Sequence, residues 1–253
     1  MNRFDGVKVL LTGAASGIGR ATARRLAAEG AAIYAVDVSE QGLAETAAQA
    51  AAQTNAPGAI TTRVADVTDE PAVIAAAADA ADTLGGIDVL VNVAGVHKTT
   101  PIETLTVDDL NRLFSVNLVG TALFCREALK FLPDGTGVIV NTASLAATQG
   151  NPYMTAYAAS KGAVLAFSLS LAAELTGRRV RVVPISPGAV DTPLTRAPDM
   201  FPDGLDVGYF TKIRSYFGAA DPEQIASAIA FAASSDAAYF TGADLRVDGG
   251  AHT

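Results

Sequence analysis

Val7-Lys8-Val9-Leu10-Leu11-Thr12-Gly13-Ala14-Ala15-Ser16-Gly17-Ile18-Gly19 stands near the start of the chain, and its reading decides the fold. Val7–Thr12 is a short apolar run, which reads as a buried strand. Ile18–Glu29 carries helical periodicity. Three glycines occupy the turn between them. Glycine permits positive φ and close backbone approach. The helix that follows offers free N–H groups and the positive end of its dipole to an anion. A strand, a glycine turn and a helix in that order can cradle a pyrophosphate. The spacing G-x-x-x-G-x-G departs from the G-x-G-x-x-G dinucleotide fingerprint. Tight strand–helix packing alone would also call for glycine here.

Outward from this turn the pattern keeps alternating. Ala31–Asp37, Ala59–Val64, Ile87–Asn92, Val138–Thr142, Val180–Ile185 and Ala243–Val247 read as strands, all expected to be doubly buried and apolar. Gln41–Gln53, Glu70–Leu84, Val107–Phe131, Thr155–Leu175 and Pro222–Ser234 read as helices. Thr106 is placed to cap one, and Pro222 opens another at its first position. Such alternation predicts βαβ units, a parallel sheet and helices on both faces. The fold class is α/β, a single doubly wound Rossmann-type domain over residues 1–253. Ser186–Ala220 breaks the rhythm with four prolines and with Phe201, Tyr209, Phe210, Tyr216 and Phe217. It is expected to form a substrate lid at about 189–220, the alternative being a helical insertion packed on the core or on another subunit.

Composition narrows the class. The 253 residues include 18 Lys and Arg against 26 Asp and Glu, a net charge of −8. Half are hydrophobic, which suits a large core and not a disordered chain. Net acidity argues against a nucleic-acid partner. Cys125, alone, forms no internal disulfide, and no oxidising compartment is needed. His97 and His252 lie far apart without cysteine partners, so no metal site is expected. The longest charge-free run, Gly135–Ser160, is too polar to span a membrane. A soluble, cytoplasmic protein is expected, with no membrane partner.

Asp37 ends the second strand, where a carboxylate in a nucleotide-binding βαβ unit meets the adenosine ribose. Its neighbours Val36 and Val38 are uncharged, as is Ser16 on the glycine turn. The carboxylate would repel a 2′-phosphate, which favours NAD(H) over NADP(H). Tyr157 and Lys161 are four apart on a helix and share a face. An ammonium beside a phenol favours the phenolate and is expected to lower its pKa toward the working range. Ser144 lies just past the fifth strand. Gly13, Asp37, Asn92, Ser144 and Pro187 all fall at or beyond strand carboxyl ends, where open parallel sheets bind ligands.

With these residues in place, the sequence resembles the classical short-chain dehydrogenases/reductases along nearly its whole length. The resemblance rests on Thr12-Gly13-x3-Gly17-x-Gly19, Asp66-Val67, Asn92-Val93-Ala94-Gly95, Asn117, Ser144, Tyr157-x3-Lys161, Pro187-Gly188 and the tail Thr241–Gly250. It implies a seven-stranded parallel sheet and a homotetramer. It implies that Tyr157 is the general acid/base, that Lys161 lowers its pKa and binds the nicotinamide ribose, and that Ser144 holds the substrate oxygen. Asn117 would hold a water of a proton relay. The cofactor site implied comprises Thr12, Gly13, Ser16, Gly17, Ile18, Gly19, Asp37, Asp66, Val67, Asn92, Ala94, Gly95, Tyr157, Lys161, Pro187, Gly188, Val190 and Thr192. Val93 departs from the usual second asparagine of the Asn-Asn-Ala-Gly motif.

The activity implied is hydride transfer between NAD(H) and a secondary alcohol or ketone. His97, Ser144, Gln149 and Met154 are candidates for substrate contact, and the aromatic lid suggests a moderately apolar, alicyclic substrate. The enzymatic alternative is an NADPH-dependent 3-oxoacyl carrier-protein reductase, which Asp37 opposes. The non-enzymatic alternative is a nucleotide-binding protein of the same fold, which intact Asn117, Ser144, Tyr157 and Lys161 oppose. Apolar residues beyond one face, among them Leu118, Val119, Leu123, Leu165, Phe167 and Leu169, are expected to bury between subunits.

Overall fold

Side chains alternate along a strand, so a strand buried on both faces sends neighbours to opposite layers. Val9 and Leu11 of the first strand pack into one hydrophobic cluster, and Leu10 between them packs into another. The computed structural model describes residues 2–53, 58–197, 200–201, 204–206, 208–210 and 214–251. His252 and parts of the expected lid lie outside the described residues.

The strands are β1 (Lys8–Thr12), β2 (Ala32–Asp37), β3 (Ala59–Val64), β4 (Val89–Asn92), β5 (Val138–Thr142), β6 (Arg181–Pro187) and β7 (Leu245–Val247). They form one seven-stranded sheet in the order β3-β2-β1-β4-β5-β6-β7. Every pairing is parallel. The chain reverses direction across the sheet between β1 and β4, which opens a crevice at their carboxyl ends. Helices α1 (Gly17–Ala28), α2 (Glu40–Ala51) and α7 (Pro222–Ala233) cover one face, through Leu26, Leu43 and Ile225. The other face is covered by α3 (Glu70–Leu84), α5 (Thr121–Ala128) and α6 (Thr155–Glu174), through Val73, Phe124 and Leu171.

Local chemistry sets several boundaries. Asp69 caps α3 by accepting from Ala72 N, and Gly85 ends that helix in the left-handed region at φ 72°. Thr106 and Asp109 form a reciprocal capping box at the start of α4 (Val107–Phe114).

Two expectations need correction. Like Leu245–Val247, the partly exposed strand found at the other edge in place of Ala243–Val247, Ala59–Val64 is a strand, yet it is an exposed edge and not doubly buried. Its Thr-Thr-Arg centre suits that position, and Arg63 pairs with Asp79 at 2.9 Å. The long helix expected over Val107–Phe131 is divided into α4 and α5 by a π-helical turn, Ser115–Gly120. The cause is Asn117, whose Oδ1 accepts from Val96 N (2.8 Å) and whose Nδ2 donates to Val96 O (3.0 Å). Holding that loop draws the helix out of regular register.

The segment Thr155–Arg178, α6 with its last turn, is long and apolar enough to cross a membrane, with a mean hydropathy of 1.3. Its apolarity has another use here, since Val164, Leu165 and Leu171 are buried against the sheet and the helices beside it.

A buried polar ladder crosses the sheet just below the crevice. Thr12 Oγ1 donates to Asn92 Oδ1 (3.3 Å), Asn92 Nδ2 to Asn141 Oδ1 (2.9 Å), and Asn141 Nδ2 to Ser168 Oγ (3.0 Å). Asn141 and Ser168 are wholly inaccessible to solvent. Asn141→Leu should therefore destabilise the protein by about 1–3 kcal/mol for each buried partner it orphans. A lowered urea midpoint at unchanged slope is the expected reading.

Candidate active site

The glycine turn is shaped by contact as well as by dihedral angle. Gly13 has φ 72°, and a Cβ there would stand 2.5 Å from Ala94 N. At Gly19 a Cβ would stand 1.9 Å from Gly13 O. The end of β1, the end of β4 and the start of α1 thus meet backbone to backbone. This leaves the first amides of α1 facing a cleft of about 460 Å³ lined by Gly13, Ser16, Ile18, Asp37, Asp66 and Ala94.

Asp37 is fixed at one end of that cleft. Its Oδ2 accepts from Ala15 N and its Oδ1 from Ser39 N, both at 3.0 Å. Asp66 Oδ1 accepts from Thr68 N and Thr68 Oγ1, and Val67 beside it is buried. Arg20, which the sequence reading passed over, reaches back along the same loop. It donates to Ala15 O (3.1 Å) and pairs with Glu45 at 2.8 Å.

At the other end the cleft runs into a smaller space of about 110 Å³ lined by Gly95, Ser144, Tyr157, Lys161, Pro187, Gly188, Val190 and Thr192. Tyr157 accompanies Lys161 on α6, and Ser144 lines the same space as Tyr157. Lys161 is 5% exposed, and its Nζ donates to Thr142 O at 2.8 Å. Burial pushes the Lys161 pKa down to about 8. It also pushes the Tyr157 phenol above its usual value, against the smaller opposing effect of the Ser144 hydrogen bond. Desolvation dominates, and the ammonium is directed at a backbone carbonyl.

The other predicted residues divide into those at the cleft and those beneath it. Gly17, Thr192 and Val190 line it. Thr12 and Asn92 do not, because their side chains belong to the buried ladder. Asn117 also lies beneath. Its Nδ2 donates to Ser160 Oγ at 2.9 Å, and Ser160 Oγ donates to Tyr157 O at 2.8 Å. Ser160, which no motif singles out, thus couples the π turn to the start of α6. The Asn117 carbonyl accepts from Thr121 Oγ1 at 2.8 Å.

Among the substrate candidates, the ring of His97 lies 4.2 Å from that of Tyr157, tilted by 55°. Burial, aided by the Lys161 charge, pushes the His97 pKa down to about 4, so the imidazole is neutral. Gln149 Nε2 donates to Ala251 O at 3.1 Å. Met154 is buried at the start of α6. Cys125 is buried, as expected, and its thiol is pushed up to about 12. Tyr153 is an unforeseen participant. It holds φ 60°, and its ring lies 6.2 Å from Tyr209 and 6.0 Å from Phe210. Among the described residues no cluster of metal-ligating side chains occurs.

The comparisons agree with this geometry. The family model described as enoyl-(acyl carrier protein) reductase matches residues 13–252. D-threitol dehydrogenase of Mycolicibacterium smegmatis is 43% identical over 249 residues, covering 98% of this chain and 94% of its own. The crystal structure of levodione reductase superposes with a TM-score of 0.89 at 35% identity, covering 98% of each chain. A short-chain dehydrogenase of Mycobacterium paratuberculosis bound to NAD gives a TM-score of 0.90 at 29% identity, covering 98% of each chain. One from Burkholderia cenocepacia in complex with NADP gives 0.88 at 31%, covering 99% of this chain and 100% of its own. The chain belongs to the classical short-chain dehydrogenase/reductase family. It is an oxidoreductase acting on CH–OH groups with a nicotinamide cofactor. The glycine cradle, which a single Cβ would block, and the long cleft fit that cofactor.

Gly19→Ala places a methyl against an immovable carbonyl. It should weaken NADH binding by at least about tenfold, at an overpacking cost of about 1–3 kcal/mol, in a fluorescence titration.

Proposed function

We propose that the protein is an NAD(H)-dependent dehydrogenase/reductase that interconverts a secondary alcohol and a ketone, with Tyr157 as general acid/base. The observation that carries this reading is that Ser144, Tyr157 and Lys161, the last two one helical turn apart on α6, surround one space at the end of a cleft that begins at the glycine cradle. A bound nicotinamide supplies hydride acceptance or donation at the substrate carbon. Gly13, Ser16, Gly17, Ile18 and Gly19 would hold the pyrophosphate, Asp37 the adenosine ribose, and Asp66 with Val67 the adenine side. Gly95, Pro187, Gly188, Val190 and Thr192 would surround the nicotinamide.

The chain's own groups handle the proton and the oxygen. Ser144 donates to the substrate oxygen as charge develops there. Tyr157 gives its proton to that oxygen during reduction and takes it back during oxidation. Burial favours the neutral phenol, which suits the acid role at neutral pH. Oxidation needs the phenolate and gains as pH rises. The Lys161 ammonium opposes burial by favouring the phenolate. Asn117 acts through Ser160 and Val96 as a positioning residue.

NAD(H) is favoured because Asp37 presents a carboxylate where a 2′-phosphate would lie, and because Arg20 is paired with Glu45. The same carboxylate weighs against NADPH-dependent reduction of 3-oxoacyl carrier-protein substrates. The segment at 189–220 acts as a lid, with Tyr153 as its dock. We also propose a cytoplasmic homotetramer. Val119 and Leu169 are 44% and 39% exposed, and their burial between subunits would remove that apolar surface from water. Static light scattering at micromolar concentration tests that assembly, and a monomer would refute it.

Tyr157→Phe should lower kcat by about 10²–10⁴, with NADH affinity unchanged. Turnover equal to that of the parent would refute the acid/base role. In pH profiles, kcat/KM for oxidation should rise with pH and that for reduction should fall. Lys161→Met removes the cation, so the rising limb should move to higher pH. Asp37→Ser should raise NADPH affinity relative to NADH in paired titrations.

A further inference from the structure

Another cavity, of about 900 Å³, opens at the amino ends of the strands. Val7, Val89, Val138 and Val180 line it, each at or just before the first residue of β1, β4, β5 or β6. The cofactor cleft and the catalytic space lie at the opposite ends of the same strands, beside Gly13, Ser144 and Pro187. The cavity shares no lining residue with either, and nothing in the proposed reaction uses it.

Its charges are unusual for a chain of net charge −8, because Arg3, Arg179 and Arg181 all line it. Arg3 is paired with Glu29 and Asp236. Arg181 is half-buried, and its guanidinium donates only to neutral backbone carbonyls, those of Ala232 (2.9 Å), Ser234 (2.9 Å) and Phe240 (3.3 Å). Arg179 is exposed, and among the described residues its side chain has no hydrogen bond or ion pair. The acid on the lining is Asp88, whose Oδ2 accepts from Lys8 N at 2.9 Å. Two guanidiniums without a counter-ion, set against one carboxylate, leave a surplus of one positive charge. The backbone adds a second sign. Arg179 stands at φ 53° and ψ 32°, in the left-handed region that glycine favours. Such strain in a non-glycine residue clusters where a side chain has a ligand to hold.

We propose that this cavity binds a monocarboxylate with an apolar body. Arg179 and Arg181 hold the carboxylate, since a guanidinium presents a planar fork that matches it. The body rests on the valines and against Tyr239, whose ring at the rim is fully exposed. A monoanion matches the surplus charge. A bare phosphate would match neither that charge nor the apolar lining. The site stands apart from Tyr157 and from the cofactor, so its occupant does not compete with NADH.

Calorimetric titration of octanoate into the protein, free and saturated with NADH, tests this. Octanoate should bind both forms alike, one per chain, with 1-octanol and inorganic phosphate each weaker by at least about tenfold. Arg179→Gly suits the left-handed backbone, so the fold is kept. It should raise the Kd for octanoate by at least about tenfold and leave kcat and NADH affinity unchanged. Arg179→Lys keeps the charge without the fork, and its Kd should fall between the other two. Absence of octanoate binding, equal binding of 1-octanol or phosphate, displacement of octanoate by NADH, or an unchanged Kd in Arg179→Gly would overturn the proposal.

Discussion

The hydrogen-bonded ladder from Thr12 through Asn92 and Asn141 to Ser168 is the constraint on which the rest of the site depends. It ties β1, β4, β5 and α6 together in their dry interior. Parallel strands alone would fix spacing along the sheet but not the pitch of the loops that leave it. The glycine turn, the Asn92–Gly95 loop and the Ser144 loop depart from the first three of these elements. Tyr157 and Lys161 stand on the fourth. An apolar ladder would pack as well but would not select one register, because dispersion is non-directional.

A second network sits above the first. Asn117 grips the Val96 backbone on one side and Ser160 on the other, and Ser160 reaches Tyr157 O. The cost is a helix interrupted by a π turn. The result is that the loop after β4 and the start of α6 are tied together through Asn117 and Ser160. His97 follows Val96 on that loop, so the same grip sets its distance from the Tyr157 ring. Gly120 completes the arrangement, since a Cβ there would lie 2.6 Å from Val67 Cγ2. The wall of the adenine side and the core of the catalytic side therefore share one helix.

Electrostatics at the site run against the simplest view of a Tyr–Lys pair. Both groups are buried, and burial favours the neutral form of each. The phenol rises and the ammonium falls to about 8, which draws their proton affinities apart. Against burial, the Ser144 hydroxyl and the Lys161 ammonium both favour the phenolate.

The sequence by itself determined the alternation of strands and helices, and with it the doubly wound sheet. Hydrophobic period and turn chemistry are local, and both are written in consecutive residues. Ala59–Val64, Glu70–Leu84 and Val138–Thr142 lie at the positions their patterns indicate. It also placed Gly13, Asp37, Ser144, Tyr157 and Lys161 at strand ends or on one helix face, because spacing alone sets those relations. Only the tertiary structure decided the break at Asn117, since its partner Val96 is 21 residues away. The same holds for the withdrawal of Thr12 and Asn92 into the ladder, the direction of the Tyr157 shift, and the strained Tyr153 beneath the lid aromatics. Each depends on what a side chain touches across the fold, and burial and partners are properties of the packed molecule, not of the chain.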